Sequence, residues 1–212
     1  MQKGKFITFE GNDGCGKSTH IRLLEEYLKS KGYEILVTRE PGATEAGKII
    51  RDLLLNKNYK DIMTPEAELF LYEADRAIHT NSVILPALNE GKVVLSDRYY
   101  DSTTAYQGIA GKVDLGFVLM CNEIASHNLK PDLTFYIDAG LDETESKVTT
   151  GEYGTKDRME TKSETEKLRR INGFRIISLL EPERVKVIKY IPNNITGMQQ
   201  FIRQYTDLTL KD

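Results

Sequence analysis

The 212-residue sequence predicts an α/β fold, a five-stranded parallel sheet with helices on both faces. Two observations carry that prediction. Short apolar runs recur between stretches of helical periodicity, at residues 6–9, 34–38, 93–96, 133–137 and 185–191. A glycine-rich loop also stands between the first of these runs and the first helix. Strands separated by helices pair in parallel through right-handed crossovers, and such sheets gather ligands at the strands' carboxyl ends. Each run here ends in polar or charged residues: Glu10, Arg39-Glu40, Asp97-Arg98, Asp138 and Asn193-Asn194.

Taken in order, Lys5 to Glu10 is β-branched and aromatic and reads as a strand. Gly11-Asn12-Asp13-Gly14-Cys15-Gly16-Lys17-Ser18-Thr19 then matches Gly-x-x-x-x-Gly-Lys-Ser, a phosphate-binding loop. From His20 to Ser30, Ile21, Leu24 and Leu28 recur at helical spacing. Strand, loop and helix together give the motif its required context. Gly11, Gly14 and Gly16 let backbone N–H groups converge on an anion at the positive end of a helix. Lys17 reaches the β- and γ-phosphates of a nucleoside triphosphate, and the Ser18 hydroxyl coordinates Mg²⁺. The run at 93–96 ends in Asp97, a carboxylate placed to hold the same Mg²⁺ directly or through water. Residues 142–165 are polar and poor in core side chains; they read as a small mobile flap, or equally as a solvated surface excursion. No linker divides the chain, so one domain is expected over 1–212.

The bulk properties exclude several classes. A net charge of −3 argues against a nucleic-acid coat or a membrane-adhering protein. No run of about eighteen apolar residues is present, and nothing resembles a targeting segment. Cys15 and Cys121 have no metal spacing, which fits a reducing cytoplasm. Cys15 lies near a helix N-terminus, where a thiolate is favoured and its modification would block nucleotide binding. His20, His79 and His127 are isolated and read as packing or surface residues.

Arg39, Arg51, Arg76 and Arg98 cluster near strand ends. Guanidinium groups bind phosphate through a planar fork, so several of them imply a second anionic ligand beside the triphosphate. A GTPase would carry an Asn-Lys-x-Asp guanine reader, and Asn56-Lys57-Asn58-Tyr59 lacks the closing Asp. A nucleoside monophosphate is one such second anion. Largely dianionic at neutral pH, it needs no strong general base.

At this point the sequence resembles the thymidylate kinase family. The motifs are Phe9 to Thr19; Thr38-Arg39-Glu40-Pro41-Gly42-Ala43-Thr44 with Ile50-Arg51; Leu69 to Ala77; Asp97-Arg98-Tyr99 with Ser102 to Gly108; and Lys130-Pro131-Asp132 with Asp138. The resemblance covers residues 5 to 138 in order and is weak from 139 onward. It implies a kinase that phosphorylates dTMP with ATP and Mg²⁺, and a homodimer; the helices at 69–78 and 115–124 carry enough apolar surface to pack a partner, although lining the core explains those residues as well. In the family an aromatic at Tyr72 stacks on thymine and Arg76 bonds the base carbonyl. Arg98 and Arg39 would hold the acceptor phosphate, supported by Arg51. Asp13 would bind the 3′-hydroxyl, and Tyr106 would exclude a ribose 2′-hydroxyl. Thr103 and Gln107 would meet the base edge, with Ser102 nearby. A related kinase with another acceptor, such as dUMP, UMP or a nucleoside, and a nucleotide-binding regulator without turnover stand as alternatives. The donor base has no recognisable reader, although Asn193-Asn194-Ile195-Thr196 follows the last strand where such a base rests.

One part of the pattern breaks. The resemblance implies flap arginines before an Asp-Arg-x-Glu; the chain keeps Asp157-Arg158-Met159-Glu160 but has Lys147-Val148-Thr149-Thr150 upstream. Lysine supplies a point charge without a bidentate fork. Lys147 or Lys156, Arg158, or Arg169 and Arg170 are the replacements at hand, with Lys147 and Arg158 taken as the catalytic candidates. Ala43 in place of the family's second glycine is a milder departure. Lys147→Ala is expected to lower turnover more than nucleotide affinity, read from steady-state kinetics beside ATP binding; unchanged kinetics would remove Lys147 from the mechanism.

Overall fold

The computed structural model describes residues 4–141, 158 and 163–211. Five strands form one sheet: β1 (Phe6–Glu10), β2 (Ile35–Arg39), β3 (Val93–Asp97), β4 (Leu133–Asp138) and β5 (Val185–Lys189). Their order is β2-β3-β1-β4-β5, and every neighbouring pair is parallel. All five residues of β1 are buried, as expected of a central strand covered on both faces. The edge strand β2 has no fully buried residue.

The helices are α1 (Lys17–Ser30), α2 (Glu45–Leu55), α3 (Pro65–His79), α4 (Leu85–Asn89), α5 (Tyr100–Thr103), α6 (Leu115–Ala125), α7 (Glu164–Leu180) and α8 (Ile195–Thr209). Alternate residues of each strand point to opposite faces. Ile7, Phe9, Leu95 and Phe135 therefore pack with Leu24 and Leu28 of α1 and Ile202 of α8. On the other face Phe6 and Val94 meet Ile84, Leu88 and Tyr99, and Tyr136 stacks with Phe174 of α7.

The expected strands are recovered with small shifts. β5 stops at Lys189, two residues short of the expected Ile191, because its partner β4 ends at Asp138 and the two are in register there. α7 begins at Glu164, inside the expected flap, because Ser163 and Glu166 form a capping box. Arg158 and residues 163–165 are the only parts of the 142–165 segment among those described. Two widened helical turns had no sequence signal. One, Thr80–Ile84, precedes Pro86, which has no N–H for the Ser82 carbonyl. The other, Thr104–Ile109, carries Tyr106 and Gln107.

The register sets the site. It aligns Arg39 with Asp97, and Asp97 with Phe9, so three strands end at one level with Glu10 one residue beyond.

Candidate active site

The phosphate loop turns where the sequence allows it to. Gly11 has φ 136° and lies against the Ile137 carbonyl, where an added Cβ would sit at 2.7 Å. Gly16, at φ 97°, caps α1 in the left-handed region, leaving the first N–H groups of a fourteen-residue helix pointing into the loop. Lys17 folds back along it, Nζ donating to the Gly11 and Asn12 carbonyls at 3.1 Å each.

Ser18 Oγ donates to Asp97 Oδ2 at 3.3 Å, while Asp97 Oδ1 is buried with no hydrogen-bond partner among the described residues. A hydroxyl and an orphaned carboxylate oxygen beside a phosphate loop suit a small hard cation. Mg²⁺ typically takes one or two protein oxygens and completes its shell with water and substrate phosphates. The residues present fit that ion.

Arg98 follows directly and adopts φ 73°, a conformation costing about 1 kcal/mol or more for a residue with a side chain. Its surroundings hold it there: Arg98 N–H donates to Phe9 O, Ser96 Oγ to Arg98 O, and Tyr99 N–H to Glu10 Oε1 at 2.7 Å. The guanidinium then bonds Asp13 Oδ1 at 2.7 Å and Ser102 Oγ at 2.9 Å, and Ser102 Oγ donates to Glu10 Oε2. Burial pushes the Asp13 carboxyl up, but Arg98 and Lys17 outweigh it and hold the group well below the usual carboxylate range. Burial and the neighbouring Asp101 push Glu10 up to about 8, against the pull of Arg98. Asp101 is itself fixed by a bidentate pair with Arg184, at 2.7 and 2.9 Å, which ties α5 to the far side of the sheet.

The opposite wall comes from α3, started by Thr64, whose hydroxyl accepts from Ala67 N–H, and by Pro65 at its first turn. Tyr72 and Arg76, one turn apart, share a face. Arg76 is 1% exposed and donates from Nε to Glu40 (3.0 Å), from one terminal nitrogen to Glu73 (2.6 Å) and Asn122 (3.2 Å), and from the other to Thr103 (3.0 Å). Tyr106 lies under two guanidiniums, Arg170 at 4.4 Å and Arg98 at 5.4 Å from its ring centre. Gln107 donates from Nε2 to Glu68 at 2.7 Å.

These groups line one cleft of about 560 Å³. It brings together Asp13, Gly14, Cys15, Gly16, Lys17, Ser18 and Thr19 with Arg39, Arg51, Tyr72, Arg76, Asp97, Arg98, Ser102, Thr103, Tyr106 and Gln107. Gly11 and Asn12 serve it through their carbonyls on Lys17. Arg51 donates to the Pro41 carbonyl and packs over Gly42, which follows a cis Glu40–Pro41 bond. Arg39 stands exposed at the end of β2. Arg158 does not join the cleft. It is buried beneath α2 and α3, donating to Leu54 O and paired with Glu68, and it lines a second cavity that shares Tyr106 and Gln107 with the first. Lys147 and Lys156 lie outside the described residues.

A second expectation is corrected. Cys15 is 1% exposed, and burial pushes its thiol up despite Lys17 and Arg98, so the helix terminus does not make it a ready thiolate. Sequence reasoning also gave no role to Glu68 or Glu40, although Glu68 sits one turn before Tyr72, a spacing that pointed to it. Beyond β5, Asn193 and Ile195 line the cleft, whereas Asn194 caps α8 through Gly197 N–H.

The family model described as thymidylate kinase matches residues 9–202. Thymidylate kinase of Thermoanaerobacter sp. is 41% identical over 209 residues, covering 97% of this chain and 96% of the relative. That of Exiguobacterium sp. is 41% identical over 203 residues, covering 96% and 94%. Among solved structures, thymidylate kinase from Ehrlichia chaffeensis superimposes with a TM-score of 0.77 at 30% identity, covering 97% of this chain and 99% of that one.

Glu10 gives the site a pH signature. The unfolded chain loses this proton near the ordinary 4.5, the folded chain only near 8. Its contribution to stability is therefore complete below pH 4.5 and is lost as pH rises toward 8. Between about pH 5 and about pH 8, the wild-type Tm is expected to fall relative to that of Glu10→Gln, followed by circular dichroism. A Tm difference that does not change with pH would contradict the shift.

Proposed function

The chain belongs to the thymidylate kinase family and is a dTMP kinase, and we propose that it takes the phosphoryl group from ATP, with Mg²⁺, in the cleft at the ends of β1, β2 and β3. The observation carrying this reading is the meeting of two anion sites in one cleft. The phosphate loop with Lys17 and the three arginines Arg98, Arg39 and Arg51 all line it.

The acceptor phosphate has a second pKa of about 6 and arrives largely as a dianion. One of its oxygens forms the new bond to the γ-phosphorus as the bond to the β–γ bridging oxygen breaks and ADP leaves. No proton has to move, so alignment and charge neutralisation remain the protein's task. Arg98 and Arg39 hold the acceptor phosphate, with Arg51 behind them, and Lys17 follows the charge on the transferring group. Ser18 and Asp97 would hold Mg²⁺, which would supply positive charge against the phosphates. Asp13, kept ionised, accepts from the 3′-hydroxyl while supporting Arg98.

On the base side Tyr72 stacks on thymine, and Tyr106 fills the space a ribose 2′-hydroxyl would need. A guanidinium has five N–H groups. Four of those on Arg76 are engaged, leaving one on the nitrogen bonded to Thr103 for the base carbonyl. Asn193 and Ile195 bound the donor-base end. We place the protein in the cytoplasm, on the strength of its two free cysteines.

We propose a homodimer packed through the outer face of α3 and α6. Phe70 is 54% exposed and Ile124 69%, with Leu119 and Met120 beside them, and Phe70 meets Phe117 edge-on across the two helices. These exposed apolar side chains suit a second copy of the chain. Ile124→Glu is expected to convert the dimer to a monomer in light scattering; a wild-type monomer would refute the assembly.

The activity is tested by ADP release from Mg-ATP with dTMP, dUMP, UMP, dCMP and dGMP offered separately. Turnover should be greatest with dTMP, and dUMP, lacking only a methyl, should be poorer by roughly 10- to 200-fold in kcat/KM. Turnover with none of them would refute the roles assigned to Arg98 and Lys17.

A further inference from the structure

We infer that Glu68 sets which end of the Gln107 amide faces the acceptor base, and so helps to determine the choice of thymine over cytosine. The inference rests on the reading that Gln107 meets the base edge.

Each oxygen of Glu68 has its own partner, one through a hydrogen bond and the other through an ion pair. Oε1 takes the Gln107 Nε2–H at 2.7 Å, and Oε2 pairs with the Arg158 guanidinium at 2.5 Å. Arg158 is buried and further tied to the Leu54 carbonyl, so the carboxylate is held from behind. A primary amide offers donors at one end and an acceptor at the other. Facing a carboxylate paired with a guanidinium, Gln107 must turn its NH₂ toward Glu68. Its Oε1 is then the free end. That oxygen accepts no hydrogen bond among the described residues, although Gln107 is only 4% exposed and lines the cleft beside Tyr72, Arg76 and Thr103.

A carbonyl oxygen presented to a pyrimidine edge requires a donor. Thymine and uracil carry N–H at ring position 3, whereas cytosine carries a lone pair there. Glu68 also lies one turn before Tyr72 and two before Arg76, on the stripe of α3 that faces the cleft. The helix that supplies the stacking ring and the guanidinium thereby also supplies the group orienting the amide. Glu68 touches no substrate; it is a positioning residue acting through Gln107.

Glu68→Gln tests this with an isosteric change. Arg158 can only donate, so it should keep the new side chain's carbonyl and turn that side chain's NH₂ toward Gln107. Gln107 must then invert and present its own NH₂ to the base. The expected result is a fall in kcat/KM for dTMP of about 10- to 100-fold, carried mainly by KM. The dCMP to dTMP ratio of kcat/KM should rise at least about 30-fold. Equal losses with both substrates would overturn the inference. In a Gln107→Leu background, Glu68→Gln should leave the ratio unchanged; a ratio that still moves would show that Glu68 does not act through Gln107. Should Glu68→Gln fail to fold, Glu68→Ala releases the amide without inverting it, and the ratio should rise by a smaller factor; an unmoved ratio would overturn the proposal. Wild-type protein that accepts dCMP as readily as dTMP would instead refute the base-edge reading of Gln107.

Discussion

The buried guanidinium of Arg76 is the interaction on which the α3 wall of the cleft depends. Moving such an ion out of water costs several kcal/mol, and only full hydrogen bonding offsets that cost. Here the partners come from four places: Glu73 on α3 itself, Glu40 beyond β2, Thr103 on α5 and Asn122 on α6. Glu40 is further shared with His79, whose other ring nitrogen meets Thr38. Without the guanidinium, Glu40 and Glu73 would be left as buried carboxylates with a shared deficit. The cluster therefore fixes α3 against the strand ends and the other helices at once. Most of its donors are committed to that structural role.

On the phosphate side, rigidity comes from the backbone. Arg98 holds an uncommon left-handed conformation because bonds from β1, Ser96 and Glu10 fix the peptides on either side of it. Its side chain then has little choice but to point between Asp13 and Ser102. Asp101, one residue before Ser102, is locked to Arg184 and Thr134 across the sheet. Asp97 and Arg98 thus sit at a strand end with short tethers to the core, while Tyr72 and Arg76 sit on a helix face.

What was legible in the sequence follows the same division. The phosphate loop could be read because its function needs glycines, Lys17 and Ser18 at fixed spacing, and Asp97 because it ends an apolar strand. Tyr72 and Arg76 could be read from helical spacing together with the family likeness. Arg158 could not be placed, because its partners, Leu54 and Glu68, are set by tertiary packing; Leu54 is 104 residues away in sequence. Cys15 was misread because position in a motif says nothing about burial, and desolvation outweighs the helix terminus. The widened turn bearing Tyr106 and Gln107 has no local signature of its own. Gly108 within it packs against α6, where an added Cβ would meet Leu115 Cδ1 at 2.8 Å and Val118 at 3.6 Å.

The stripe Glu68, Tyr72 and Arg76 has a consequence for how this chain can change length. Successive residues of an α-helix are rotated by about 100°, so three side chains keep one bearing only while the count between them is held. Adding or deleting one residue within that interval would swing Arg76 out of its carboxylate cage or Tyr72 away from the cleft. The exposed turn at Lys57–Tyr59, which lies ahead of α3, carries no such phase relationship. Length variation among relatives should therefore be tolerated in that turn and excluded from the eight-residue interval of α3, where helical phase, more than residue identity, preserves the site.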